Sequence, residues 1–112
     1  MTVARTCARL ILILCSLLLP VLSLHAAEGD PAAGVRKKQM CEGCHGRDGY
    51  RTAYPTVYST PKLGGQNDAY LVKALQDYRS GAREHPSMNG VAASLSDQDI
   101  ADLAAYYAGE SK

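Results

Sequence analysis

Cys41-Glu42-Gly43-Cys44-His45 is the stretch that decides how the rest of this chain of 112 residues is read. Two thiols separated by two residues lie on one turn, so both can reach the two vinyl groups on one side of a porphyrin and form thioethers. The adjoining His then projects its imidazole at the iron from the proximal face. No other chemistry needs a His directly after the second Cys. A thioredoxin-like dithiol wants a βαβ context, and no alternating apolar run of strand length is present. A disulfide between Cys41 and Cys44 would enclose too small a loop to stabilise much. A zinc site would need Cys41, Cys44, His45 and His85 together, but adjacent Cys44 and His45 converge poorly on one tetrahedral ion. One covalent haem c on Cys41 and Cys44, with His45 as proximal iron ligand, is the expectation.

Upstream of the motif the chain changes character. Arg5 and Arg9 stand in an acid-free start, Leu10 to Leu24 is almost wholly apolar, and His25-Ala26-Ala27 leads into Glu28-Gly29-Asp30. A basic region, an apolar core and small residues at the exit describe a secretory signal peptide. Fifteen residues interrupted by Pro20 fall short of the roughly 20 that a spanning helix needs. The signal is expected to cover residues 1–26, cut after Ala26 or Ala27, leaving 27–112 as one domain in the periplasm. No Cys follows a lipoprotein-like run, so no lipid anchor is expected. Cys7 and Cys15 leave with the signal, and only Cys41 and Cys44 remain.

The remainder is about 85 residues long by this reading, with ten basic and eleven acidic side chains and a formal charge of −1. That balance gives no electrostatic case for nucleic acid. The chain has no Phe and no Trp. A core this thin needs a staple, and a buried haem would provide the apolar mass.

The fold class expected is all-α, with three main helices and loops wrapped around the haem. Asp30-Pro31 is an N-cap followed by Pro at the first helical position, opening a helix to about Met40. Gly34 inside it costs roughly 1 kcal/mol against Ala, a hint of close backbone contact. The basic run Arg36-Lys37-Lys38 reads as a solvated face. Residues 46–66 carry turn chemistry, from Asp48-Gly49 to Gly64-Gly65, and read as a packed loop. Asn67 caps a second helix with Tyr70, Leu71, Ala74, Leu75 and Tyr78 on one period, and Gly81 stops it. Ser96 and Asp99 have capping-box spacing, Leu95 and Ile100 form a hydrophobic staple, and the third helix ends at Gly109.

A haem iron has a sixth position, for which Met40, His85 and Met88 are the candidates. Met40 adjoins Cys41 on the proximal side. His85 and Met88 share the segment between Gly81 and the last helix, and Pro86-Ser87-Met88-Asn89-Gly90 reads as a flexible loop with little core for a Met to fill. A thioether suits reduced iron and raises the potential, as electron carriers need.

The stretches at 41–49 (CEGCHGRDG), 61–66 (PKLGGQ), 70–81 (YLVKALQDYRSG) and 88–108 (MNGVAASLSDQDIADLAAYYA) together resemble a class I c-type cytochrome. Within that class the chain is similar to single-domain relatives of the bacterial diheme cytochromes and to cytochrome subunits of flavin or molybdenum sulfur oxidoreductases. The resemblance implies Met88 as distal ligand and Pro61 as the residue whose carbonyl holds the His45 Nδ1–H. It also implies a helix crossing at Gly34 and Tyr106 or Tyr107. The segment Tyr50 to Thr60 is longer than the family's usual loop.

The function that follows is single-electron transfer between redox proteins such as an oxidoreductase, a terminal oxidase or a respiratory complex, with membrane contact only through those partners. No acid, base or nucleophile stands in a catalytic constellation. Two alternatives are a permanent cytochrome subunit of a sulfur-compound dehydrogenase and a five-coordinate gas-binding or peroxidatic haem protein.

Overall fold

A computed structural model describes residues 27–52 and 59–110. The expected signal peptide and its cleavage bond lie outside the described residues, as does the middle of the long loop.

Five helices and no strand occur among the described residues: α1 Pro31–Lys37, α2 Gln39–His45, α3 Asp68–Ser80, α4 Pro86–Ala93 and α5 Asp97–Gly109. The all-α expectation holds. The three main helices are present, with two differences in detail. The first expected helix tightens at Lys38, where the Cys41 and Glu42 amides both donate to the Lys38 carbonyl, at 2.8 and 3.1 Å. A separate helix, α2, therefore carries the whole Cys-x-x-Cys-His. Second, the expected flexible loop at 86–90 is wrong: those residues belong to α4.

The caps explain the boundaries. The Asp30 carboxylate accepts from the Ala32 amide at 2.9 Å with Pro31 at the first helical position. Asn67 accepts from the Tyr70 amide at 3.0 Å, and Gly81, at φ 81°, closes α3 in the left-handed conformation that favours Gly. Ser96 and Asp99 form the expected reciprocal box, with Ser96 Oγ accepting from the Asp99 amide at 3.1 Å and Asp99 Oδ2 from the Ser96 amide at 2.9 Å.

Helix α5 is the organising element, packed against both α1 and α3. At the α1–α5 crossing, a Cβ built on Gly34 would overlap the Asp102 carbonyl oxygen and lie 2.6 Å from Tyr106 Cβ. Only glycine fits, and the contact falls on Tyr106. Beside it Asp102, 2 % exposed, receives hydrogen bonds from the Asp30 amide at 2.8 Å and Gln98 Nε2 at 2.7 Å and pairs with Lys37 Nζ at 2.6 Å. A buried carboxylate is tolerable only with such satisfaction. Lys38 likewise pairs with Glu42 at 2.7 Å and donates to Tyr106 Oη at 3.0 Å. Two of the three cations in the basic run are thus tied into ion pairs while their side chains keep partial exposure to solvent.

The apolar core is small. Leu95, Ile100 and Leu103 are its centre, with Cys41, Val72, Leu75 and Tyr107 packed at its margin.

Candidate functional site

Where a larger core would sit there is instead a cavity of about 470 Å³. Its size falls within the roughly 300–1,000 Å³ usual for small-molecule and cofactor sites. Helix α2 contributes Met40, Cys41, Cys44 and His45 to its wall, and α3 contributes Tyr70, Leu71, Ala74, Leu75 and Tyr78. Ser87, Met88 and Val91 come from α4, Leu103, Ala104 and Tyr107 from α5, and residues 59–63 from the loop before α3. The fold therefore brings Cys41, Cys44, His45, Pro61 and Met88 to one cavity from well-separated parts of the chain.

Both cysteines are free thiols at intermediate burial, so the dithiol is not closed into a disulfide. Burial pushes the Cys41 thiol above its ordinary value. His45 Nδ1 lies 2.6 Å from the Pro61 carbonyl oxygen. A carbonyl can only accept, so Nδ1 is the donor, and in the neutral ring this tautomer leaves the Nε2 lone pair free. The long loop's ends are pinched together by the Thr60 amide donating to the Tyr50 carbonyl at 2.7 Å, one residue before Pro61.

Met88 is half-buried at the third position of α4. Pro86 is the first helical residue and His85 the N-cap, its Nδ1 accepting from the Met88 amide at 3.4 Å. His85 also lines the cavity, but one ring nitrogen is engaged in holding the helix that carries Met88. Met40, half-exposed, reaches the same cavity from the residue before Cys41.

One contributor escapes sequence reasoning. Asn89 accepts from the His85 amide at 2.8 Å and donates through Nδ2 to the carbonyls of Tyr78 at 2.6 Å and Arg83 at 2.9 Å. It ties the end of α3 to the start of α4 and fixes Met88 next door. Its signal in the sequence, an Asn before a Gly, is the same as that of an ordinary turn.

The cavity fits a large, flat, mainly apolar group with a metal at its centre. Aliphatic side chains from three helices face it, two thiols stand on one turn, and an imidazole offers a free Nε2. The Tyr107 hydroxyl at the wall is buried without a hydrogen bond of acceptable geometry, although the Cys41 thiol is beside it. Burial pushes that phenol above its ordinary value.

Residues 31–108 match the sequence profile described as Cytochrome c. The chain belongs to the cytochrome c family. It is 48 % identical over 86 residues to a cytochrome c4 of Pseudomonas aeruginosa, covering 77 % of this chain and 40 % of that one. It is 44 % identical to the cytochrome c-554(548) of Halomonas halodenitrificans, covering 73 % of this chain and 98 % of the relative. A thiosulfate dehydrogenase electron acceptor of Stutzerimonas stutzeri is 42 % identical over 76 residues, covering 68 % of this chain and 32 % of its own. Among solved structures, the reduced recombinant cytochrome c4 of Pseudomonas stutzeri superposes with a TM-score of 0.56 at 33 % identity, covering 77 % of this chain and 52 % of that one. The chain thus spans about half or less of its cytochrome c4 relatives and nearly all of the Halomonas cytochrome.

The family implies covalently bound haem c, which supplies a one-electron couple at its iron, and the chain has the matching Cys-x-x-Cys-His. Residues 31–108 of this cytochrome accordingly form a c-type cytochrome domain. Among the described residues no helix is long and apolar enough to cross a membrane.

Proposed function

We propose that this cytochrome carries single electrons in the periplasm between soluble or membrane-bound redox partners, with its haem attached at Cys41 and Cys44 and its iron held by His45 and Met88. One observation carries the reading: a single cavity is lined by both thiols, by an imidazole whose Nδ1–H is tied to Pro61, and by the Met88 thioether. A protonated Nδ1 leaves Nε2 to bind metal, and the carbonyl behind it raises the ring's basicity. A thioether opposite imidazole raises the potential. Two protein ligands leave no open position for substrate, and electron transfer then needs only weak docking through a small interface. The exported location rests on the basic and apolar pattern of residues 1–26.

A second reading, in which the cytochrome is the electron-accepting subunit of a sulfur-compound dehydrogenase, is favoured by its likeness to proteins named as thiosulfate dehydrogenase electron acceptors. The two readings share the same site and differ in the permanence of the partner, which copurification from the native host decides.

The ligand assignment is tested on the oxidised holo-protein. It should show the weak near-infrared charge-transfer band of sulfur–iron ligation, and Met88→Ala should abolish that band and lower the potential. Met40→Leu should leave both unchanged. A band that survives Met88→Ala would remove Met88 from the iron.

A further inference from the structure

The two thiols of the motif do not have the same surroundings. Both line the haem cavity, but of the pair Cys41 is the one packed at the margin of the apolar core, together with Tyr107. The Tyr107 hydroxyl is shut off from solvent and lies beside the Cys41 sulfur, with no hydrogen bond of acceptable geometry among the described residues. A buried hydroxyl left without a partner costs about as much as a lost hydrogen bond, so its position calls for one.

The ring is held from several sides. Tyr107 lies in the last turn of α5, and its carbonyl accepts from the Gly65 amide at 2.9 Å, which ties that turn to the loop before α3. Its ring stands edge-on to Tyr106, with centroids 4.9 Å apart and planes 67° to each other. Tyr106 is in turn held by Lys38 Nζ, which donates to its hydroxyl at 3.0 Å. The Tyr107 hydroxyl therefore meets the sulfur from a fixed side, and it is the sulfur that changes. When a thiol adds to a vinyl group, a C–S bond forms and the S–H bond breaks. The hydrogen passes to the other vinyl carbon, with no net gain or loss of electrons. Before that step the sulfur can donate or accept. Afterwards it is a thioether, which can only accept, and a phenol can donate to it.

We propose that the Tyr107 hydroxyl donates a hydrogen bond to the Cys41 sulfur once that sulfur is a thioether, and so acts as a positioning residue for the attachment and as a fixed dipole at the haem. The inference rests on the haem reading above and adds a residue to it. The O–H bond turns its positive end toward the edge of the prosthetic group, in a place closed to water where a dipole is poorly screened. That orientation disfavours the extra positive charge of the oxidised iron and raises the potential, in addition to what the iron ligands do.

The test compares the unaltered holo-protein with Tyr107→Phe and Tyr106→Phe. In the NMR spectrum of the reduced unaltered protein, the Tyr107 hydroxyl proton should exchange slowly with solvent. It should show nuclear Overhauser contacts to the Cys41 β-protons and to the methine of the Cys41 thioether bridge. Tyr107→Phe should lose that resonance and have a lower reduction potential. Tyr106→Phe removes the acceptor of Lys38 but leaves the hydroxyl beside the sulfur, so it should keep both the resonance and the potential. A hydroxyl proton whose contacts are to water or to side chains other than Cys41 would overturn the proposal, and so would equal potentials for Tyr107→Phe and the unaltered protein. An equal fall in potential in both variants would trace the effect to a loosened α5 and overturn it as well. An unaltered protein with no covalent pigment would instead overturn the haem reading on which it rests.

Discussion

The Pro61 carbonyl oxygen stands 2.6 Å from His45 Nδ1, and this contact joins the turn carrying the Cys-x-x-Cys-His to the loop before α3. It settles the tautomer of His45, because only a protonated Nδ1 can donate to a carbonyl. It also makes the loop part of the site. Pro61→Gly keeps the carbonyl but frees the backbone that aims it. Such a change should cost about 1 kcal/mol through the unfolded chain's added freedom, and the His45 ring N–H should exchange with solvent faster in the NMR spectrum of the reduced protein. Unchanged exchange would mean that Thr60 and Leu63, and not Pro61, set the loop.

The crossing of α1 and α5 makes a second prediction. Gly34→Ala places a methyl against the Asp102 carbonyl, which is backbone and cannot swing away. Overpacking of this kind costs about 1–3 kcal/mol, and in a domain of this size each kcal/mol lowers Tm by roughly 4–8 °C. Thermal unfolding of the holo-protein measures it. A melting temperature within a degree of the original would show that the helices can separate at little cost.

The same particulars show what can be read from residues in order. Gly34, the Asn67 cap, the Gly81 stop and the Ser96–Asp99 box all act within one turn or through the lack of a side chain, and each is visible locally. Helix α4 is not. Its N-cap is His85, a residue outside the usual Ser, Thr, Asp and Asn set, and Gly90 inside it looks like turn chemistry. Pro86 at the first helical position was the available signal. Long-range pairings such as Lys37 with Asp102, 65 residues apart, have no local trace at all. The chemistry suggested for the site was legible for the opposite reason: Cys41, Cys44 and His45 stand at i, i+3 and i+4 in one short helix, so their spacing alone puts them on one face.

The thin core bears on the thiols. Leu95, Ile100 and Leu103 form its centre, and a cavity of about 470 Å³ adjoins them. If the attached haem fills that space, Cys41→Ala combined with Cys44→Ala should yield colourless, largely unfolded or degraded protein, since the ligand's contribution to the folded state is lost. The intact protein should exceed its polypeptide mass by one haem and keep its pigment through acid-acetone extraction. A stable, helical, colourless double variant would show that the core suffices alone.

Asp102 sets the acid limb of stability. The hydrogen bond from Lys37, then that from the Asp30 amide, pulls its carboxyl down from an ordinary 3.8 to about 2. Asp99, also bonded to Lys37, is lowered as well. A carboxyl depressed in the folded state adds stability above its unfolded value, and that stability drains away as pH falls through the folded value. The holo-protein should therefore lose stability between about pH 5 and pH 2. Asp102→Asn should be less stable at pH 7 and show a shallower decline across that window. Denaturant titrations at several pH values give the comparison, and parallel curves for the two proteins would assign the acid limb to other groups.

The last prediction separates two roles for His85. Its Nδ1 accepts from the Met88 amide as the N-cap of α4, and its ring also lines the cavity. As a cap it is replaceable, because Asp and Ser accept from the same amide at least as well. His85→Asp should then preserve helix α4, the unfolding free energy to within about 1 kcal/mol, and the low-spin spectrum of the iron. His85→Ala should lose about 1 kcal/mol of cap stability and loosen Met88, which should weaken the near-infrared band without removing it. An iron ligand behaves otherwise: loss of the imidazole abolishes low-spin character whether Asp or Ala replaces it. High-spin spectra in both variants, with Met88→Ala still low-spin, would make the site bis-histidine and lower its expected potential, since imidazole favours reduced iron less than a thioether does. The Asp variant carries the decision, because it keeps the cap while removing the imidazole at position 85.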